Sequence, residues 1–124
     1  MRWLLTWLVA AGLLSAGCMN TTPQAPTQDE ALTTLRSVLE AWQQGEKPQT
    51  LSEWTPAVAV ADRDWARGAR LVKFEIEEDH IKPAGYDLSI GVKLWLENGK
   101  QAPQKARFTV STAPALVVVR AFGA

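Results

Sequence analysis

The sequence is poorest in the residues that most often mark chemistry. It holds one cysteine, one histidine and one tyrosine in 124 residues. A single cysteine excludes an internal disulfide, so a fold must rest on apolar packing. A single histidine, His80, makes any Ser-His-Asp arrangement depend on one position and leaves a metal site short of ligands. Neither sign of charge is in excess, with 13 basic and 13 acidic residues. No basic stripe is written along the chain for nucleic acid or anionic lipid. No apolar run reaches the roughly 20 residues that a membrane-spanning helix needs.

What the chain does hold is a distinctive N-terminal stretch. Met1-Arg2 carries a positive charge, residues 3–14 are apolar apart from Thr6, and Ser15, Ala16 and Gly17 are small. Charge, apolar segment and small residues in that order are the signature of a secretory signal. The run Leu13-Leu14-Ser15-Ala16-Gly17-Cys18 resembles a bacterial lipobox. That resemblance implies a lipoprotein signal peptide over residues 1–17, lipid on the Cys18 thiol, and a mature protein held in the cell envelope. Ser15 stands where a lipobox usually has leucine, and Leu14 is one step further out. Met19, standing where an aspartate favours inner-membrane retention, points by the same resemblance to the outer membrane. Two other readings stay open: a plain secretory signal with an unused thiol, giving a secreted or periplasmic protein, and an uncleaved anchor. One acyl chain gives only marginal attachment, and two or more hold firmly, as a lipoprotein cysteine implies. Residues 18–28 read as a flexible tether, polar and proline-containing. Fully extended, residues 19–28 reach at most about 35 Å.

Residues 29–124 are enough for one small domain. Thr27-Gln28-Asp29-Glu30 has the form of a capping box. Behind it Ala31, Leu32, Leu35, Val38, Leu39 and Trp42 recur at helical spacing, and Gly45 and Pro48 supply a stop. The pattern predicts a helix over roughly 28–44. Residues 46–68 are interrupted by Pro48 and Pro56. Within them Val58 to Ala61 suit a short strand or a buried extended segment, and Asp62 can cap a turn through Trp65 closed by Gly68. Trp65 is expected against the sheet edge.

From Ala69 the period changes to two. Val72, Phe74 and Ile76 alternate with charged residues, and Tyr86 to Leu96 alternates throughout. Asn98-Gly99 is a hairpin signal. Ala106, Phe108 and Val110 form a third alternation and Leu116 to Phe122 a fourth. These elements predict an α+β fold: one N-terminal helix packed on a curved antiparallel sheet of about four strands. With the Asp64-Trp65…Gly68 turn, the paired strands and a proline before a valine-rich last strand, residues 29–122 resemble the cystatin-like and NTF2-like group. They are also similar to small secreted bacterial proteins of that layout. The resemblance implies a fold and no activity.

Candidate chemistry is thin. His80 lies near Glu77 and Asp79, a combination that would need further ligands to hold a metal; a solvated strand end is the expected reading, with no cofactor or metal. Inward strand positions are apolar and offer no acid, and Tyr86 is expected to end a strand with its hydroxyl in water. Lys73, Lys93 and Trp95 fall on the other sheet face and form a possible binding surface, unless Trp54 or Trp65 covers Trp95. The valine-rich last strand suits a central position, and would accept a partner strand if it lay at an edge. The reading is a lipid-anchored, non-enzymatic envelope protein that contacts another protein or a small ligand. The alternative is a secreted NTF2-like enzyme or small-molecule-binding protein with an apolar cleft near Tyr86.

Overall fold

The structure, a computed structural model, describes residues 27–97 and 102–121. The expected signal peptide, Cys18, the tether up to residue 26, the Asn98-Gly99 hairpin signal and Phe122 lie outside the described residues.

Helix α1 spans Gln28–Gln43, beginning on the last residue of the expected tether. Thr27 caps it, its hydroxyl accepting from the Glu30 amide at 3.1 Å. The apolar stripe is buried from Ala31 to Trp42. Gly45 ends the helix at φ 89°, a left-handed conformation that favours glycine. The Gly45 amide donates to the Trp42 carbonyl and the Glu46 amide to that of Ala41, each at 3.0 Å. A 3-10 helix, Pro48–Glu53, then turns Leu51 into the core.

Helix α2, Arg63–Ala66, repeats the ending of α1 in miniature. Gly68 sits at φ 93°, donating to the Trp65 carbonyl at 2.9 Å, and Ala69 donates to that of Asp64 at 3.0 Å. The cap at Asp62 and the stop at Gly68 stand where the residue pattern places them.

Five strands form one open sheet: β1 Val58–Ala61, β2 Leu71–Ala84, β3 Asp87–Leu96, β4 Gln104–Ser111 and β5 Leu116–Arg120. Their order is β1-β5-β4-β3-β2. The fold is α+β with one main helix, as the pattern predicts, but the antiparallel sheet of about four strands needs correction. β1 runs parallel to β5, with Val58 opposite Leu116 and Ala61 opposite Val119, so the sheet is mixed. A parallel pair requires a long crossover, and the chain supplies one in the whole stretch from α2 to β4. β5 is therefore interior, and β1 and β2 are the edges.

The face toward α1 carries Ile90, Val92 and Leu94 from β3, Ala106, Phe108 and Val110 from β4, and Val118 from β5, all buried. Trp42 and Trp65 join this core and Trp54 packs against it. Trp65 does not seal a sheet edge. It stacks on Trp42, with ring centroids 5.3 Å apart and planes 9° from parallel.

Candidate functional site

Arg120 ends β5 on the strand side that also carries Leu116 and Val118, in phase with the core. Its Nη1 donates to Asp64 Oδ2 at 2.6 Å and lies 3.4 Å from Asp62 Oδ1. The Asp62 side chain is 0% exposed and that of Arg120 is 11% exposed. Asp62 also caps α2, accepting from the amides of Asp64 at 2.9 Å and Trp65 at 3.1 Å. One carboxylate outside the strands, that of the α2 cap, is buried because helix amides and a guanidinium together replace its water. Both Asp62 and Arg120 are tied to structure.

The ion cluster forms part of the wall of a cleft of about 780 Å³. The 3-10 helix bounds it through Pro48, Gln49 and Ser52, and all four residues of β1 line it. The ends of β4 and β5 contribute Gln104 to Ala106 and Val119 to Ala121, and Arg63 and Ala66 complete it. Ala59, Ala61, Ala66 and Ala106 leave room that larger side chains would fill. Tyr86 is not part of this cleft; it is 69% exposed in the turn between β2 and β3.

The sheet face away from α1 brings Lys73, Lys93 and Trp95 together. Lys73 stands opposite Trp95 in register, with Nζ 4.7 Å from the ring centroid, and Glu75 stands opposite Lys93. The Lys73 ammonium is the described contact over the Trp95 ring, and the ring described against Trp65 is that of Trp42. Lys93 in turn faces Lys105 across β3 and β4. Register thus assembles cations that are scattered along the sequence, in a place where no linear basic stripe exists.

No protein-family model, curated protein or solved structure matches this chain.

His80 sits within β2, because the strand continues to Ala84 through a register shift between Glu77 and Ile81. Arg107 holds this irregularity, with Nη1 and Nη2 each donating to the His80 carbonyl at 3.1 Å. His80 Nδ1 is 3.7 Å from Glu77 Oε2. Among the described residues no group of three or more histidine, cysteine, aspartate or glutamate side chains could hold a metal ion. No helix of the described residues is long and apolar enough to cross a membrane.

The residues that sequence reasoning missed are Arg120 and its cleft. Phase was the available signal: an arginine two residues beyond Val118 in a strand belongs on the core side and needs a buried acid.

Proposed function

We propose that this chain is a lipid-anchored, non-enzymatic protein of the bacterial cell envelope. Its cystatin-like or NTF2-like domain contacts a protein partner or a small ligand. The observation that carries the reading is the lone cysteine at position 18, closing an apolar segment and a run of small residues. Lipid on Cys18 tethers the domain through residues 19–27, and the outer membrane is the favoured site. One long helix laid across a largely antiparallel sheet supports the fold assignment. A binding role is supported because the buried acid and base are spent on capping α2 and on each other. Lys73, Lys93 and Trp95 offer a further contact surface on the opposite sheet face.

The test is the intact mass of the N-terminal peptide of the mature protein, with membrane fractionation of wild type and Cys18→Ala. A lipid-modified Cys18, and release of the alanine variant from the membrane, is the expected result. An unmodified thiol on a soluble wild-type protein would overturn the anchor.

One observation favours the second reading, a secreted small-molecule-binding or enzymatic NTF2-like protein. The cleft beside β1 has the volume of a ligand pocket, about 300 to 1,000 Å³. Native mass spectrometry of the purified chain separates the two, since a retained small molecule would favour this alternative.

A further inference from the structure

We propose that the sheet face away from α1 rests on anionic lipid, with Lys73, Lys93 and Lys105 among the headgroups and the Trp95 ring at their level. The inference rests on the reading of Lys73, Lys93 and Trp95 as a contact surface and names its partner. It does not require lipid on Cys18.

Strand register builds the patch. Lys73 of β2 stands opposite Trp95 of β3, and Glu75 opposite Lys93. Lys93 stands in turn opposite Lys105 of β4. Residues directly opposite one another share a face. The neighbouring Leu94 and Ala106 are buried toward α1, so all five of these side chains belong to the outer face. Three lysines therefore meet one carboxylate, that of Glu75. Further along the face Glu77 and Arg107 stand opposite Gly91 from either side, and their opposite charges leave the excess where it is.

The excess is not neutralised within the domain. Among the described residues none of the three lysines enters an ion pair. Lys73 lies over the Trp95 ring instead. Like charges directly opposite each other weaken a sheet. Lys93 and Lys105 therefore repel, and an anion laid over both relieves that repulsion.

The residue types favour a lipid surface over a protein. Lysine is depleted from protein–protein interfaces. Its compact charge on a flexible stem sets no fixed geometry for a partner, which suits mobile headgroups. Tryptophan favours the boundary between headgroups and acyl chains, where its apolar ring and polar N–H are both accommodated. Here Lys73 and Lys105 are exposed, and Lys93 and Trp95 are half-buried. Reach is sufficient as well. Residues 19–27 extend to at most about 30 Å, further than the roughly 10 Å between packed layers. An anchor at Cys18 thus permits this orientation and raises its occupancy.

The experiment mixes the full Cys18→Ala chain with vesicles of phosphatidylcholine, alone or mixed with phosphatidylglycerol, and reads the bound fraction by sedimentation. Lys93→Gln with Lys105→Gln should weaken binding to the anionic vesicles about twentyfold and leave the neutral ones unaffected. Any pull of residues 1–17 on the vesicles is common to both chains, so the difference reads the lysines. The double variant loses two facing like charges and should unfold no earlier than its parent. Wild type on anionic discs with a spin-labelled headgroup locates the contact. The Trp95 indole N–H and the Lys93 and Lys105 amides should broaden, and the α1 amides should stay sharp. Equal binding of parent and double variant to anionic vesicles would overturn the proposal, as would broadening that falls on α1 and spares Trp95. A Trp95 indole that shifts with poly-glutamate and not with anionic vesicles would also overturn it, and would give the face to an acidic protein. Response to neither would remove the contact surface itself. The mass of the Cys18 peptide tests the anchor separately.

Discussion

Trp42 and Trp65 stack face to face, and each indole N–H closes the end of the other's helix. Trp42 Nε1 donates to the Ala69 carbonyl and Trp65 Nε1 to the Glu46 carbonyl, both at 2.7 Å. Ala69 and Glu46 occupy equivalent places, each following the left-handed glycine that ends α2 or α1. The two helix ends thus form a reciprocal clasp. It ties the turn after α1 to the turn before β2.

Replacing either tryptophan by phenylalanine keeps a ring but removes one donor, leaving a carbonyl unmet at a part-buried site. Each change should cost about 1 kcal/mol. Trp65→Ala loses the ring as well and should cost about 3 to 5 kcal/mol. Denaturant unfolding of the single and double phenylalanine variants checks the reciprocity. Each bond sits in the loop that the other ring positions, so the two losses should not add. Strict additivity would dismiss the clasp as two separate contacts.

Arg120 joins the last strand to α2 through Asp62 and Asp64. Arg120→Met keeps most of the bulk but leaves Asp62 buried without the Arg120 cation, and should destabilise by about 3 kcal/mol. Asp62→Asn is the informative companion. Asparagine caps a helix as well as aspartate does, and Arg120 keeps its 2.6 Å bond to Asp64. A smaller loss in Asp62→Asn than in Arg120→Met would place the energy in the buried charge. Equal losses would place it in the attraction between Asp62 and Arg120, which both changes remove.

The glycine stops of the two helices are open to an equally direct check. Gly45 and Gly68 have nothing within 4 Å of an added Cβ, so only backbone conformation opposes a side chain. Alanine at either should cost about 1 to 2 kcal/mol, the penalty of an L-residue in the left-handed region. Asparagine tolerates that region better, and Gly68→Asn should recover part of the loss. Thermal unfolding of the three variants reads the difference.

The elements with a clear period were legible in the sequence: α1 from its stripe and its threonine cap, β3 and β4 from strict alternation, the α2 turn from Asp62 and Gly68. Four features were not. β1 is four residues of alanine and valine, too short for a period to show its partner, and its pairing with β5 is decided by residues more than fifty positions away. The Trp-x-x-Gly spacing occurs at both Trp42 and Trp65, yet spacing alone does not say that two such turns meet. The cleft depends on which strand ends lie side by side, a property of sheet order. Alternation placed Lys73 and Lys93 on one sheet face, but that Lys105 stands opposite Lys93 is likewise a product of register.

Gly91 carries the sharpest steric prediction. It lies on the sheet face away from α1, beneath the irregular stretch of β2. A Cβ there would stand 3.2 Å from the Cβ of His80 and 3.3 Å from Glu77 Oε1. Glu77 can rotate aside, but the His80 Cβ is fixed to a backbone whose carbonyl Arg107 holds with two bonds. Gly91→Ala should therefore displace residues 78–80 and cost about 1 to 3 kcal/mol, as overpacking does. Gly91→Val should cost more. Removing the latch by Arg107→Gln frees the irregular stretch to move, so Gly91→Ala in that background should cost less than it does alone. Amide chemical shifts of residues 77–81 with denaturant unfolding test both parts. A Gly91→Ala variant with wild-type stability and unmoved shifts would overturn the clash, because the added methyl would then fit with β2 in place.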